Sequence, residues 1–341
     1  MYHYRDSRGG DFYLDPDRPF PTPPGGELPL LRFVGRRGTA LDLWSAAGAN
    51  EQEARWLLGD AKLDWRVEPR EVLTTVGDGP RPVPVPGYRA LVRPDTGTVM
   101  SVVTSAYRVA DNESVARAAV ALGRRFESGA RLVAAAGFGR SDERTLFVVR
   151  VRVVGATTLL LLAHNTHGGE GAVRFQLVEA DREVRAILAP DSRHATLSIP
   201  HIGDVDERLE RVGSGSMVED HVAETRAVWE RLRAAAWTPG RTRSLLHELW
   251  GEPPRVPSAG PGEPFREPSQ RALRHPGPYL TSVLADCVHP AEVYRQVCAY
   301  LDNASEACER GDFTKDRDER LALGAGLRLK QRAWSWIAVN T

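Results

Sequence analysis

LFVVRVRVVGATTLLLLAHNTHGGEGAVRFQLV, residues 146–178, is the stretch on which the fold turns. It contains three apolar runs, Leu146–Val154, Thr158–His164 and Val173–Val178, interrupted by turn-forming residues. Runs of this length and composition, bounded by glycines, read as strands. The same pattern extends outward from Trp65 to Pro200, through Trp65–Val67, Tyr88–Val92, Val99–Val103, Leu132–Ala136, Val184–Leu188 and Thr196–Ile199. Strands joined by tight turns such as Gly139-Arg140-Ser141-Asp142 favour a largely antiparallel sheet over a repeated βαβ unit. One helix interrupts them: Asp111-Asn112 reads as its cap, and Val115, Ala118, Ala119, Leu122 and Phe126 recur at helical spacing.

On either side of this block the chain changes character. Residues 1–40 are broken by Pro16, Pro19, Pro21, Pro23 and Pro24 and read as a flexible leader. Asn50 then caps a short helix that Gly59 stops. Beyond Gly213-Ser214-Gly215-Ser216 the period is helical, first with Val218, Val222, Trp229 and Leu232, then with Leu245, Leu246, Leu249 and Trp250. The proline-rich stretch from about 251 to 278 reads as a mobile loop. Pro290 opens a helix reaching about Cys308, and Glu319 to Ile337 forms the last one. The expected architecture is therefore α+β: a leader to residue 40, a largely antiparallel sheet with one or two packed helices over 41–205, and a helical C-terminal region over 206–341.

A formal net charge of +0 excludes the strongly basic and strongly acidic classes, so any nucleic-acid surface has to be a local patch. Cys287, Cys298 and Cys308 are odd in number and lack C-x-x-C spacing, which indicates neither a disulfide framework nor a cysteine zinc site. The N-terminus has no apolar signal core and no apolar run is long enough to span a bilayer, so the expectation is a cytoplasmic protein without membrane association. No Walker loop, G-x-S-x-G elbow or G-x-G-x-x-G occurs, and no cofactor is expected.

The most chemically loaded segment is His164-Asn165-Thr166-His167-Gly168-Gly169-Glu170-Gly171. Residues three apart on a strand point to opposite faces, so His164 and His167 share a ligand only if the chain turns between them. Asp95-Thr96-Gly97 matches the aspartic-protease triplet, but its place between two strands reads as a hairpin turn. Arg89 and Arg93 flank Leu91, and Arg150 and Arg152 flank Val151; on strands each pair shares one face. With Tyr107 and Arg108 they suggest a basic, stacking surface for single-stranded nucleic acid, with His167 and Lys330 as further phosphate contacts. Lys330 falls on the apolar stripe of the last helix and must snorkel, pair with an acid or bind an anion. Asp302, opposite Tyr300 in the preceding helix, reads as solvent-exposed.

Several short segments, in this order, resemble the phage/plasmid-like family described as domain of unknown function 932. They are Leu63-Asp64-Trp65-Arg66-Val67, Leu91-Val92-Arg93-Pro94-Asp95-Thr96-Gly97, Val102-Val103-Thr104-Ser105-Ala106-Tyr107, Asn165-Thr166-His167, Val184-Arg185, Tyr300-Leu301-Asp302 and Lys330-Gln331-Arg332-Ala333. The chain departs from the family pattern at Gly168, at Asn303 and over Ala186-Ile187-Leu188-Ala189-Pro190. The resemblance implies a mobile-element setting and raises DNA metabolism among the function classes. Two readings and a bland third follow. The first is a nucleic-acid-associated accessory protein using Arg89, Arg93, Tyr107, Arg108, Arg150, Arg152, His167 and Lys330. The second is an enzyme on a nucleotide or phosphate-bearing substrate, with His164, His167, Glu170, Asp302 and Lys330 in one pocket and no metal. The third is a homo-oligomeric scaffold.

Overall fold

The computed structural model describes residues 2–5, 11–14, 38–40, 57–59, 61–75, 81–139, 141–154, 157–169, 171–184, 186–212, 216–252, 276–303 and 324–341. The fold is α+β, with antiparallel sheets and C-terminal helices, as the strand and helix periodicities imply. No helix among the described residues is long and apolar enough to cross a membrane. The chain forms two compact units. A sheet unit is drawn from Pro29–Arg182 and Ser192–Val222, and a helical unit from Met1–Leu28, Glu183–Asp191 and Ala223–Thr341. Within the stretch read as a leader, Tyr2–Arg5 (β1) and Asp11–Leu14 (β2) pair antiparallel, and Gly38–Ala40 (β3) adds to the larger sheet of the sheet unit.

The sheet unit holds two sheets. The smaller is Glu68–Thr74 (β4), Val83–Arg93 (β5) and Thr98–Thr104 (β6), in the order β4-β5-β6. β4 escaped the sequence reading because its residues are nearly all polar or exposed, whereas Trp65–Val67, expected as a strand, is irregular, with Trp65 and Val67 buried and Arg66 exposed. The Asp95-Thr96-Gly97 segment is the turn between β5 and β6, with Gly97 at φ +66°. After the helix Asn112–Phe126 (α1) come Arg131–Phe138 (β7), Arg144–Val154 (β8), Thr157–Thr166 (β9) and Ala172–Asp181 (β10). Next are Ala186–Leu188 (β11), which belongs to the helical unit, and Thr196–Pro200 (β12). Within the sheet unit β3 pairs β7, and β7 through β10 pair in sequence, with β12 on the far side of β10; every one of these pairings is antiparallel.

Directly opposed residues share a face. The row Leu146, His164, Arg174, Ser198 lies on one face of the larger sheet, and the row Thr145, Asn165 lies on the other. α1 packs on the second face. Val115, Ala119 and Leu122 are fully buried with Phe147, Val149, Leu161 and Phe175. A Cβ on Gly123 would stand 3.0 Å from both Ala130 Cβ and Val149 Cγ1, so this glycine lets the helix approach the sheet closely. Burying a side chain such as Leu122 contributes roughly 1.5–3 kcal/mol. Val205–Arg211 (α2) follows, its N-cap Asp204 accepting a hydrogen bond from the Glu207 amide at 2.9 Å.

The helices continue with Met217–Ala234 (α3), Pro239–Trp250 (α4), Gly277–Ala285 (α5), Pro290–Asn303 (α6) and Ala325–Val339 (α7). α5 lies where the sequence reads as the end of a loop; residues 253–275 of that loop lie outside the described residues. The core of the helical unit is aromatic, with Trp334 packed edge-on against Trp229 and close to Tyr294 at ring separations of 4.9 and 5.1 Å. Three side chains pin residues 187–191 into this unit. The Ile187 amide donates to Asp302 Oδ2 at 2.7 Å, the Ala189 amide to the Tyr294 hydroxyl at 2.9 Å, and Trp334 Nε1 to the Asp191 carbonyl at 3.1 Å.

Candidate functional site

β9 ends at Thr166 beside the start of α1, and there the sheet unit gathers buried polar side chains: Asn112, Thr145, Asn165 and His167. Asn112 is the first residue of α1. Asp111 takes the N-cap position but makes no side-chain cap hydrogen bond, so the capping role read from the sequence is not filled. Asn112 turns inward instead, donating to the Leu63 carbonyl at 3.1 Å and accepting from the Thr145 hydroxyl at 3.1 Å. Asn165 donates to the Ala110 carbonyl at 2.8 Å, and its Nδ2 lies 3.2 Å from His167 Nε2. That ring nitrogen is also 3.2 Å from Asn112 Oδ1.

His167 is held by its backbone as well. Its amide donates to the Glu143 carbonyl at 2.6 Å, and its carbonyl accepts from the Ser101 hydroxyl of β6 at 2.7 Å. The Trp65 ring meets the imidazole edge-on at 5.3 Å, and the Arg93 guanidinium stacks over Trp65 at 4.5 Å. Arg93 clasps Asp95 with Nε and Nη2, both at 2.9 Å, and reaches Asp142 on the β7–β8 connection with Nη1 at 3.1 Å. Gly137 makes room for Asp142, because a Cβ there would lie 2.7 Å from the Asp142 Cβ. Arg93 thereby ties the smaller sheet to the larger. Arg93→Lys keeps the charge but loses the planar fork and the stacking surface; the expected loss is about 1–3 kcal/mol, read from the urea midpoint of unfolding.

A second histidine completes the junction. Tyr107 stacks on His201 at 4.7 Å and donates its hydroxyl hydrogen to the Thr166 carbonyl at 2.9 Å. The Arg108 carbonyl lies 3.0 Å from His201 Nδ1 and can only accept, so that nitrogen carries the proton and Nε2 is bare. Burial, reinforced by the charge of His201, pushes His167 down to about 3. Burial also lowers His201, against its hydrogen bond to Arg108, and raises the Tyr107 hydroxyl. Asp95 is held below the usual carboxylate range, first by its hydrogen bond from Arg93. An enclosed imidazole that stays neutral at pH 7 is poorly suited to shuttle protons for a ligand in solvent.

The structure disperses the residues singled out for a phosphate-binding surface. Arg93, Arg150 and His167 are buried, at 4%, 8% and 1% exposure, and Arg89, Arg108 and Arg152 are exposed. Arg89 and Arg93 do share a face of β5, but it is the inner one, carrying Leu91 into the core; Arg89 sits at the exposed end beside Glu71 at 3.6 Å. Arg150 and Arg152 are split by a register shift in β8, which leaves the first buried and the second exposed. His164 and His167 lie on opposite sides of the strand end, as their spacing implies. Glu170 lies outside the described residues. Among the described residues no group of three His, Cys, Asp or Glu is placed to hold a metal.

Asp302 and Lys330 belong to the helical unit and are partners there. Lys330 Nζ lies 2.5 Å from Asp302 Oδ1 with both side chains buried, so the exposed position expected for Asp302 is corrected: the charge of Lys330 on the apolar stripe of α7 draws it inward. Cys298 is adjacent, and burial pushes its thiol up to about 12. Sequence reasoning passed over Asn112, Thr145, Asp142 and His201 as junction residues; each is an ordinary polar residue whose partner lies far away in the chain. Comparison with known proteins finds no matching family model, no similar curated protein and no similar solved structure.

Proposed function

We propose that the protein is a non-catalytic scaffold that self-associates through the outer face of the smaller sheet. The observation carrying this reading is the side-chain alternation of β5 and β6. Leu91 and Val103 turn into the core, while Tyr88, Val99 and Val102 turn outward at 49%, 57% and 55% exposure. Exposed apolar residues clustered on one sheet face, rather than scattered singly, are typical of an association surface. The same face carries Glu68 and Arg70, paired with each other and opposite Val92 and Ala90. A second copy placed by a two-fold axis meets this face with carboxylate against guanidinium and valine against valine. A formal net charge of +0 adds no long-range repulsion between copies. Of the candidate acid–base residues, His167, Asp302 and Lys330 are held by buried polar partners.

Light scattering coupled to size exclusion tests this. At micromolar concentration the wild type is expected as a dimer or larger, and Tyr88→Ala with Val102→Arg as a monomer, its self-affinity weakened about 100-fold or more by loss of a central apolar contact. A monomeric wild type overturns the proposal. One observation favours single-stranded nucleic acid on this same face, the occupant to which the family resemblance points: Tyr88 is an exposed aromatic on the face that also carries the 61%-exposed Arg70 side chain. Oligonucleotide binding at about 50 mM salt that weakens steeply by 200 mM distinguishes that occupant from a second copy.

A further inference from the structure

We propose a binding site for a phosphate monoester on the face of the larger sheet that turns away from α1, centred on Arg174 and His164. Antiparallel register places His164 of β9, Arg174 of β10 and Ser198 of β12 directly opposite one another, so their side chains rise from one face in a single row. The next row on that face adds Arg144, opposite Thr166, and the row on the other side adds Gln176, opposite Leu162. In antiparallel pairs such neighbours stand about 5 Å apart within a row, a spacing one phosphate group spans. Every polar group in these rows can donate a hydrogen bond, and none is a carboxylate.

Two observations point to a ligand rather than to a solvated face. His164 Nε2 is buried and has no hydrogen-bond partner. Arg174 is exposed at the mouth of the row. Independently, His164 is pushed down to about 4, by burial first and then by the charges of Arg174 and Arg144, so these two cations lie close enough to repel its protonated form. A phosphate anion between them reverses that repulsion, which makes protonation of His164 and ligand binding mutually reinforcing. A guanidinium fork suits the oxygens of a terminal phosphate, and Ser198 offers a hydroxyl beside it.

The test is phosphate binding to the full chain at pH 6, followed by calorimetry and by the histidine signals in NMR, with sodium chloride at matched ionic strength as the control. Inorganic phosphate and adenosine monophosphate are expected to bind saturably and to raise the His164 titration midpoint, and adenosine is expected to do neither. Arg174→Ala, at an exposed position that the fold does not need, is expected to weaken phosphate at least tenfold, and Ser198→Ala less. Three outcomes overturn the proposal: a chloride effect equal to that of phosphate, phosphate affinity within twofold of wild type in Arg174→Ala, or adenosine competing as well as its monophosphate. Dimer dissociation by Tyr88→Ala with Val102→Arg leaves this site in place, so it stands or falls apart from self-association.

Discussion

Lys330→Ala is expected to lower stability by about 3–5 kcal/mol, the usual cost of stranding one charge of a buried ion pair. Lys330 and Asp302 lie 2.5 Å apart at 0% and 1% side-chain exposure, so loss of the ammonium leaves the carboxylate charged and buried. The damage extends beyond the pair, because Asp302 Oδ2 also accepts the Ile187 amide and helps hold β11 in the helical unit. Urea unfolding measures the loss. Lys330→Met combined with Asp302→Asn removes both charges and retains an acceptor for Ile187, so it is expected to recover most of the stability. A single substitution costing under about 1 kcal/mol contradicts a buried, mutually compensating pair.

Acid is expected to destabilise the sheet unit well before its carboxylates titrate. His164 and His221 are lowered to about 4 and His167 to about 3, burial being the first cause in each, and His201 is lowered as well. The unfolded chain binds these protons near pH 6.5, whereas the folded one resists them until pH 3–4. Between those limits the unfolded state holds more protons, so stability is intact above about pH 6.5 and falls as the pH drops through the window. Each such histidine adds about 1.4 kcal/mol per pH unit to the slope. Urea titrations from pH 7 to 4.5 on wild type and His167→Gln check this: the variant is expected to start less stable and to show a shallower slope by about that amount. Equal slopes exclude His167 as a contributor.

The legible part of the fold was the part written in local patterns. Alternating and continuous apolar runs marked β8, β9 and β10, and the spacing of Val115, Ala119 and Leu122 marked α1, because burial on one side of an element imposes a period on the chain. Where burial did not impose one, the reading failed. β4 is almost wholly exposed, and α5 opens on Gly277-Pro278, which read as loop. The candidate site was legible only as a segment: His164 to Gly171 is conspicuous, yet Asn112, which meets His167 there, reads locally only as part of a helix cap, and Thr145, which donates to Asn112, carries no mark in its own neighbourhood.

By itself the sequence determined the α+β class, the antiparallel pairing and the opposite orientation of His164 and His167, since short turns and a two-residue side-chain period leave little choice. Only tertiary structure decided which face of β5 turned inward, taking Arg93 with Leu91, and that Asp302 found Lys330. It also decided that residues 183–191 left the sheet unit for the helical one. The physical reason is shared: a face, a buried charge or a strand amide has no preferred partner until distant segments supply one.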